Sequence, residues 1–378
     1  MNATRKPENS ELDTTVNIAL VAGGTGGHLI PAIIIAKKLH SKAAVRNLLF
    51  VGTGTELEKK LLANVAFNLE AIPARAVHGG GIYGAFKFAL TLPRAMYACV
   101  RLFREKRPSV VVGFGGYPSF VPILVAWLMR IPTAIHESNV GVGLANKVLS
   151  LIATKVFGVT GCKGFIGTSN LKLLPNPVRE EFYSIPPFNY PESGEPFRIL
   201  VVGGSQGAVT LNTIVLGLCD VFQECGVELH HQSGVLDYQR VMDAYRATAF
   251  KAYSVSPFVD DMAKAYARAH LVICRAGAMS VAEVVAAGRP VIFVPLVIAS
   301  GHQRLNAEPV AEAGGGIIVE QDKCCAEKLR QHLSELLSSR EKLETMARCM
   351  EKFRGDIGVT SAERIAEDIM ELGLKHNV

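Results

Sequence analysis

Two apolar runs in this chain end in glycine clusters and pass into helical patterns: VNIALVAGGTGGH (Val16 to His28) and RILVVGGSQGA (Arg198 to Ala208). A buried parallel strand that stops at small residues leaves backbone N–H groups over the next helix N-terminus, a place to hold phosphate. A third segment, CRAGAMSVAEVVAAGRPVIFVP (Cys274 to Pro295), repeats the order of strand, small-residue loop and helix. Its helix is expected to begin near Ser280 and to stop at Gly288. Ser280 and Glu283 stand at S-x-x-E spacing, which admits two readings. They form a capping box over the helix N-terminus, or the first turn faces a diphosphate while Glu283 accepts both hydroxyls of a ribose. The two are compatible.

A dinucleotide site is the first chemistry to test against such loops, and the loops fail it. Gly24 and Gly26 fill two positions of G-x-G-x-x-G, but the third falls on Leu29, and Ser205 replaces the second glycine of the later loop. Neither second strand ends in the Asp or Glu that would bind a nicotinamide cofactor's ribose, since one closes on FVGTG and the other on HHQSG.

The elements around these loops alternate Val/Ile/Leu-rich strands with helical patterns, the signature of parallel βαβ units. Strands are expected near 16–22, 47–52, 109–113, 132–136 and 155–158, then near 198–203, 227–232, 270–274, 290–294 and 316–319. The 378 residues fit two domains of roughly 150–200 residues each. LLPNPVREEF (Leu173 to Phe182), followed by a proline-rich stretch, reads as the stiff linker between them. The fold class is therefore α/β, with two similar domains facing one another across an anionic ligand.

Charge is unevenly spread. Residues 1–177 carry 20 Lys and Arg against 8 Asp and Glu, and residues 178–378 carry 20 against 26. A basic half suits an anionic membrane surface, a phosphorylated substrate or a nucleic acid. Nucleic acid drops out for want of a basic run with interleaved aromatics or any recognition motif. The eight cysteines show no C-x-x-C pair and no zinc spacing, and residues such as Cys99, Cys162 and Cys274 read as reduced core thiols of a cytosolic protein. Residues 1–15 form a polar lead-in without a signal-peptide core. The longest apolar run, Phe120 to Met129, is too short to span a bilayer.

Between Gly79 and Pro108, Ile82, Tyr83, Phe86 and Phe88 cluster, and Lys87, Arg94, Arg101, Arg104, Lys106 and Arg107 surround them. One reading is a core-packed helix pair with a solvated basic face. The other is a membrane-surface patch, with apolar side chains at headgroup level and cations drawn to anionic lipid. The charge asymmetry of the whole half favours the patch.

Nine motifs occur in order: GGTGGH (23–28), GFGGYPS (113–119), HESN (136–139), NPVR (176–179), GGSQGA (203–208), HQSG (231–234), FVDDMAKAYA (258–267), CRAGAMSVAEVVAAG (274–288) and HQRLNA (302–307). In register they make the chain resemble the MurG family of bacterial peptidoglycan glycosyltransferases, over nearly all of its length after residue 16. The resemblance implies the GT-B fold of two Rossmann-like domains around a central cleft. It divides the chain into a membrane-facing acceptor domain (16–177), a UDP-sugar domain (178–355) and a helix (356–378) that crosses back, with Ile365, Ala366, Ile369 and Met370 as its apolar face. It implies N-acetylglucosamine (GlcNAc) transfer from UDP-GlcNAc to the 4-hydroxyl of a lipid-linked muramyl-pentapeptide, at the cytoplasmic membrane face and beside other cell-wall enzymes. Donor contacts carried over by motif are Thr25, Gly26, Gly27, Asn139, Arg179, Ser205, Val259, Ala278, Met279, Ser280, Val281, Ala282, Glu283 and Gln303. Two positions depart from the family pattern, Phe120 for glycine and Ser138 for glutamine.

An inverting transfer needs a base for the acceptor hydroxyl and stabilisation of departing UDP. His28 follows the first glycine loop, and an ordinary histidine pKa near ~6.5 suits a base; it also suits a loop histidine that only bonds backbone. Glu137 is the second candidate, with His136 beside it. No D-x-D pair stands at a strand end, and Asp260-Asp261 reads as a helix cap, so no metal or other cofactor is expected. A UDP-GlcNAc 2-epimerase, a glycolipid glycosyltransferase and a non-catalytic nucleotide-sugar-binding subunit are the competing readings of the same loops.

Overall fold

The computed structural model describes residues 15–24, 26–63, 65, 67–73, 82–204, 207–297, 301–356 and 360–376, with the side chains of 82–90, 356 and 360 outside that description. Seven strands form the first sheet: β1 (Val16–Val21), β2 (Val45–Gly52), β3 (Leu69–Ala71), β4 (Val110–Gly113), β5 (Thr133–Glu137), β6 (Lys155–Val159) and β7 (Leu171–Leu174). Their order is β3-β2-β1-β4-β5-β6-β7 and every pairing is parallel. Helices α1 (Gly26–His40), α2 (Glu56–Ala63), α3 (Ile82–Lys106), α4 (Gly116–Leu128) and α5 (Leu144–Leu149) make the crossovers.

The second sheet has six strands: β8 (Phe197–Val202), β9 (Val227–Gln232), β10 (Tyr253–Ser256), β11 (Leu271–Cys274), β12 (Val291–Phe293) and β13 (Gly316–Ile318). They run parallel in the order β10-β9-β8-β11-β12-β13. Its helices are α6 (Val209–Leu216), α7 (Cys219–Glu224), α8 (Tyr238–Ala247), α9 (Met262–Arg268), α10 (Ala278–Ala286) and α11 (His302–Glu312), followed by α12 (Cys325–Leu337), α13 (Arg340–Asp356) and α14 (Thr360–His376). Two α/β units with parallel sheets result.

Both sheets are covered on both faces, which is why their central strands read as unbroken apolar runs. Along β1, Val16, Ile18 and Leu20 face the cluster built with α1 and α14, and Ala19 and Val21 face the one built with α3 and α4. Along β8, Ile199 and Val201 face one core and Leu200 and Val202 the other. Ile365, Ala366 and Ile369 of α14 are buried in the first-unit core against α1, β1 and β4.

Three sequence expectations are corrected. The segment for which a helix pair was one of two readings holds one 25-residue helix, α3, which passes through Pro93. Leu173 and Leu174, expected in the linker, close the first sheet in β7. Strands β3, β7 and β10 had no counterpart in the expected set, and all three lie at sheet edges. An edge strand pairs on one side only and tolerates polar residues, so LEA, LKLL and YSVS lack the apolar run that marks a central strand.

Candidate functional site

The carboxyl ends of β1, β4 and β5 carry three turns that meet. Gly24 after β1 and Gly115 and Gly116 after β4 hold φ of +82°, +88° and +71°, a region that favours glycine. The His28 ring lies against this second turn: a Cβ at Gly116 would come within 3.0 Å of its Cε1. Nδ1 of His28 is 3.4 Å from the Gly23 carbonyl. Burial lowers the pKa of His28 below the ordinary histidine value, opposed by the negative charge of Glu137 and by the Gly23 contact. An unperturbed base was expected; partial desolvation of the imidazole is what moves it.

Beneath the first glycine loop sits a carboxylate that motif reading missed. Glu58 is buried (1% exposed) and accepts from the N–H groups of Gly24 (3.1 Å), Thr53 (2.9 Å), Gly54 (2.7 Å) and Thr55 (3.3 Å) and from the Thr53 hydroxyl (2.8 Å). The Glu58 N–H in turn donates to Thr55 Oγ1 (3.4 Å). Thr55 and Glu58 thus form a capping box at the start of α2, and T-x-x-E was the available signal.

Glu137 ends β5, buried, with both oxygens engaged. Oε1 accepts from the Asn139 N–H (3.0 Å) and Nδ2 (2.9 Å), and Oε2 from the Gly143 N–H (3.1 Å) and Asn146 Nδ2 (3.0 Å). These four donors fix its orientation and shape the loop after β5. His136 beside it is buried, which pulls its pKa down to about 4. Ser138 Oγ lies 3.4 Å from His136 Nδ1, and the Ser138 carbonyl accepts from Asn176 Nδ2 (2.8 Å). Phe120 packs half-buried in the core between the sheet, α3 and α4.

In the second unit the capping-box reading of Ser280 and Glu283 falls. Helix α10 begins at Ala278 with extended Gly277 as its N-cap, so Ser280 is already inside the first turn and no side chain caps the end. The leading N–H groups of Ala278, Met279 and Ser280 therefore have no acceptor within the helix. One turn further in, the buried Glu283 carboxylate meets Arg179 Nη2 at 3.2 Å. Burial raises the pKa of Glu283, and Arg179 opposes the shift. The Arg179 guanidinium lies 5.1 Å from the Phe182 ring centre. Val281, Ala282 and Val259 pack half-buried on the same core, and Gln303 Oε1 accepts the Leu296 N–H (2.9 Å).

Amides hold the second glycine loop and the turn after β9 beside it. Gln232 Nε2 donates to the Gly204 carbonyl (3.0 Å), and Asn212 Nδ2 to the Ser233 carbonyl (2.9 Å). Gly207 has no room for a side chain, since a Cβ there would lie 2.6 Å from the Ser233 oxygen. The two units meet where the first turn of α10 packs on the second and third turns of α1: Met279 clusters with Ile30 and Ile34, two and six residues beyond His28.

The N-terminal domain of glycosyltransferase family 28 matches residues 18–158, and its C-terminal domain matches residues 198–360. The chain is 37% identical over 368 residues to an Anaeromyxobacter dehalogenans protein named UDP-N-acetylglucosamine--N-acetylmuramyl-(pentapeptide) pyrophosphoryl-undecaprenol N-acetylglucosamine transferase, covering 94% of this chain and 93% of that one. The protein of the same name from Lawsonia intracellularis is 35% identical, with 94% and 97% covered. The crystal structure of MurG from Acinetobacter baumannii superposes with a TM-score of 0.74 at 29% identity, covering 94% and 99%. The chain belongs to the MurG family. A UDP-N-acetylglucosamine 2-epimerase structure, at TM-score 0.66 and 14% identity, shares the fold alone.

In this MurG-family chain His28, Glu137, Gly26, Gly27 and Asn139 gather on the first-unit side. Arg179, Ala278 to Glu283, Val259 and Gln303 belong to the second-unit side. Thr25 and Ser205 lie outside the described residues, as do residues 1–14 and the side chains of Ile82, Tyr83, Phe86, Lys87 and Phe88. Arg94, Arg101 and Arg104 share one exposed face of α3 with Tyr97, which is 70% exposed, opposite buried Ala95, Cys99 and Phe103. Asp261 caps α9 by accepting the Lys264 N–H (2.9 Å), as its place before that helix implied. Among the described residues, no three His, Cys, Asp or Glu side chains converge on a metal-sized site, and no helix is long and apolar enough to cross a membrane.

Proposed function

We propose that this chain transfers GlcNAc with inversion from UDP-GlcNAc to the 4-hydroxyl of the muramic acid of undecaprenyl-diphospho-MurNAc-pentapeptide, bound peripherally to the cytoplasmic face of the plasma membrane. The observation that carries this reading is the abutment of α1, through Ile30 and Ile34 in its second and third turns, on the first turn of α10 at Met279. A diphosphate on the α10 N–H groups would present its sugar to the side of the cleft that holds His28. Asn139, Gln303, Gly26, Gly27 and Thr25 would contact the sugar. Arg179, Ser205 and Val259 would hold the uridine end, with Glu283 on the ribose.

The acceptor 4-oxygen would form its bond to the anomeric carbon as the bond from that carbon to the β-phosphate oxygen breaks. The hydroxyl proton would pass to His28. An Nδ1–H directed at the Gly23 carbonyl puts the ring's lone pair on Nε2, which makes Nε2 the accepting atom. The Glu137 charge would stabilise the imidazolium that forms. Glu137 itself, already accepting four hydrogen bonds, is a positioning group. Charge on departing UDP would fall on the α10 N–H groups and Arg179, a task preorganised dipoles perform without a metal ion.

Incubating the pure protein with labelled UDP-GlcNAc and a short-chain lipid-linked muramyl-pentapeptide should yield the disaccharide, and chelator should leave the yield unchanged. No product from competent substrates would overturn the reading. Reversing charge at Arg101 and Arg104 should weaken binding to anionic vesicles by about 1 kcal/mol per cation removed, with turnover of a soluble acceptor kept. An equal loss on the soluble acceptor would place this face in the acceptor site instead.

A further inference from the structure

Asn306 lies in the HQRLNA segment on α11, buried to 5% exposure, and sequence motifs gave it no role. Its carboxamide makes three bonds that span the two units. Oδ1 accepts the Val140 N–H (2.9 Å), and Nδ2 donates to Asn139 Oδ1 (3.2 Å) and to the Ala276 carbonyl (3.2 Å). Val140 and Asn139 belong to the loop after β5, shaped by Glu137. Ala276 stands immediately before Gly277, the N-cap of α10.

The donor and acceptor pattern leaves no ambiguity in either amide. Asn306 must present oxygen to the Val140 N–H and nitrogen to the Ala276 carbonyl. Asn139 must then present oxygen to Asn306 and nitrogen to the Glu137 carboxylate (2.9 Å). A relay therefore runs Glu137–Asn139–Asn306–Ala276, from the first-unit loop to the turn that opens the phosphate-binding helix. The surfaces around it are close: a Cβ at Gly141 would lie 2.9 Å from His302 Nδ1 and 3.0 Å from Leu305 Cδ1 on α11.

We propose that Asn306 is a positioning residue that ties the loop after β5 to the α10 turn and so fixes the orientation of the Asn139 carboxamide and the spacing between acceptor and donor sides. The proposal rests on the transferase reading above. It implies that Asn306 matters for transfer, which needs both units in register, far more than for UDP, whose main contacts belong to the second unit. Asn139 keeps one N–H and one lone pair for a sugar hydroxyl, aimed by these two partners.

The test uses the full chain and two variants. Asn306→Ala should lower kcat by about 10–100-fold, the scale of a misplaced reacting group, and leave UDP affinity within about threefold. Amide hydrogen exchange over 138–143 should speed up, because the Val140 N–H loses its acceptor. Asn306→Asp keeps that acceptor and removes the Nδ2 donor, so exchange should stay slow while kcat still falls. Parental kcat in Asn306→Asp would overturn the proposal, as would unchanged exchange in Asn306→Ala. So would parallel losses of UDP affinity, melting temperature and kcat, since Asn306 would then only hold the second unit together. If the parent forms no product, the transferase reading fails, and the exchange measurements still decide whether the tie exists.

Discussion

At the first glycine loop the anchor is an anion that collects N–H groups, whereas at the second and the neighbouring turn after β9 amides donate to carbonyls among the described residues. Glu58 takes the Gly24 N–H together with those of Thr53, Gly54 and Thr55. Gln232 and Asn212 hold the Gly204 and Ser233 carbonyls. The strand–turn–helix plan is shared, but its electrostatics are not. A buried carboxylate beneath a turn occupies donors that a phosphate would need and repels its charge. On the proposed reading, the α10 N-terminus, uncapped by any side chain, would seat the diphosphate. The first loop would then serve to place His28. Two copies of one supersecondary unit thus differ in what lies under the turn.

The largest effect that would test this division is on turnover. His28→Ala should reduce kcat by about 10²–10⁴-fold and leave UDP affinity nearly unchanged, read by single-turnover assay and titration. Because burial lowers the His28 pKa, the imidazole stays neutral to lower pH than an ordinary histidine. The acid limb of the parental pH–rate profile should therefore fall below pH ~6.5 and vanish in the variant. Should Glu137→Gln abolish that limb while His28→Ala preserves it, the base is Glu137.

Next in size, Glu283→Ala should weaken UDP binding by roughly 10–100-fold, the worth of a hydrogen bond to a charged acceptor. The raised pKa of Glu283 gives the sign of its pH dependence. The carboxylate protonates at higher pH than an ordinary glutamate, so UDP affinity should drop on mild acidification in the parent and be flat in the variant. Since Glu283 caps nothing, a lowered melting temperature with full UDP affinity would remove it from the donor site.

The smallest effect belongs to the anchor. Glu58→Gln, which exchanges part of an acceptor for donors amid four N–H groups, should cost about 1–3 kcal/mol of stability and about tenfold in turnover, without loss of UDP affinity. A matching loss of UDP affinity would mean that the first loop carries phosphate after all.

How much of this could be read from sequence varied with burial. Central strands such as β1, β4 and β8 are covered on both faces, so their apolar runs announced them. The edge strands β3, β7 and β10 needed no such composition and gave no signal. Asp261 as a cap was legible because a capping side chain acts within three residues. Ser280 had the same local spacing and no such role, because α10 starts two residues earlier than the motif suggested.

The sequence by itself determined two parallel α/β units, the glycine turns that end their first strands, and the residue types available at their carboxyl ends. These follow from local rules: periodicity of two or of 3.6, and the φ that only glycine adopts easily. Only the tertiary structure decided which buried polar groups face one another. Glu58 under Gly24, Arg179 against Glu283, and Asn306 between Asn139 and Ala276 join residues separated by 34, 104, 167 and 30 positions. Low dielectric makes each such pairing matter, and no local pattern encodes a partner that far along the chain.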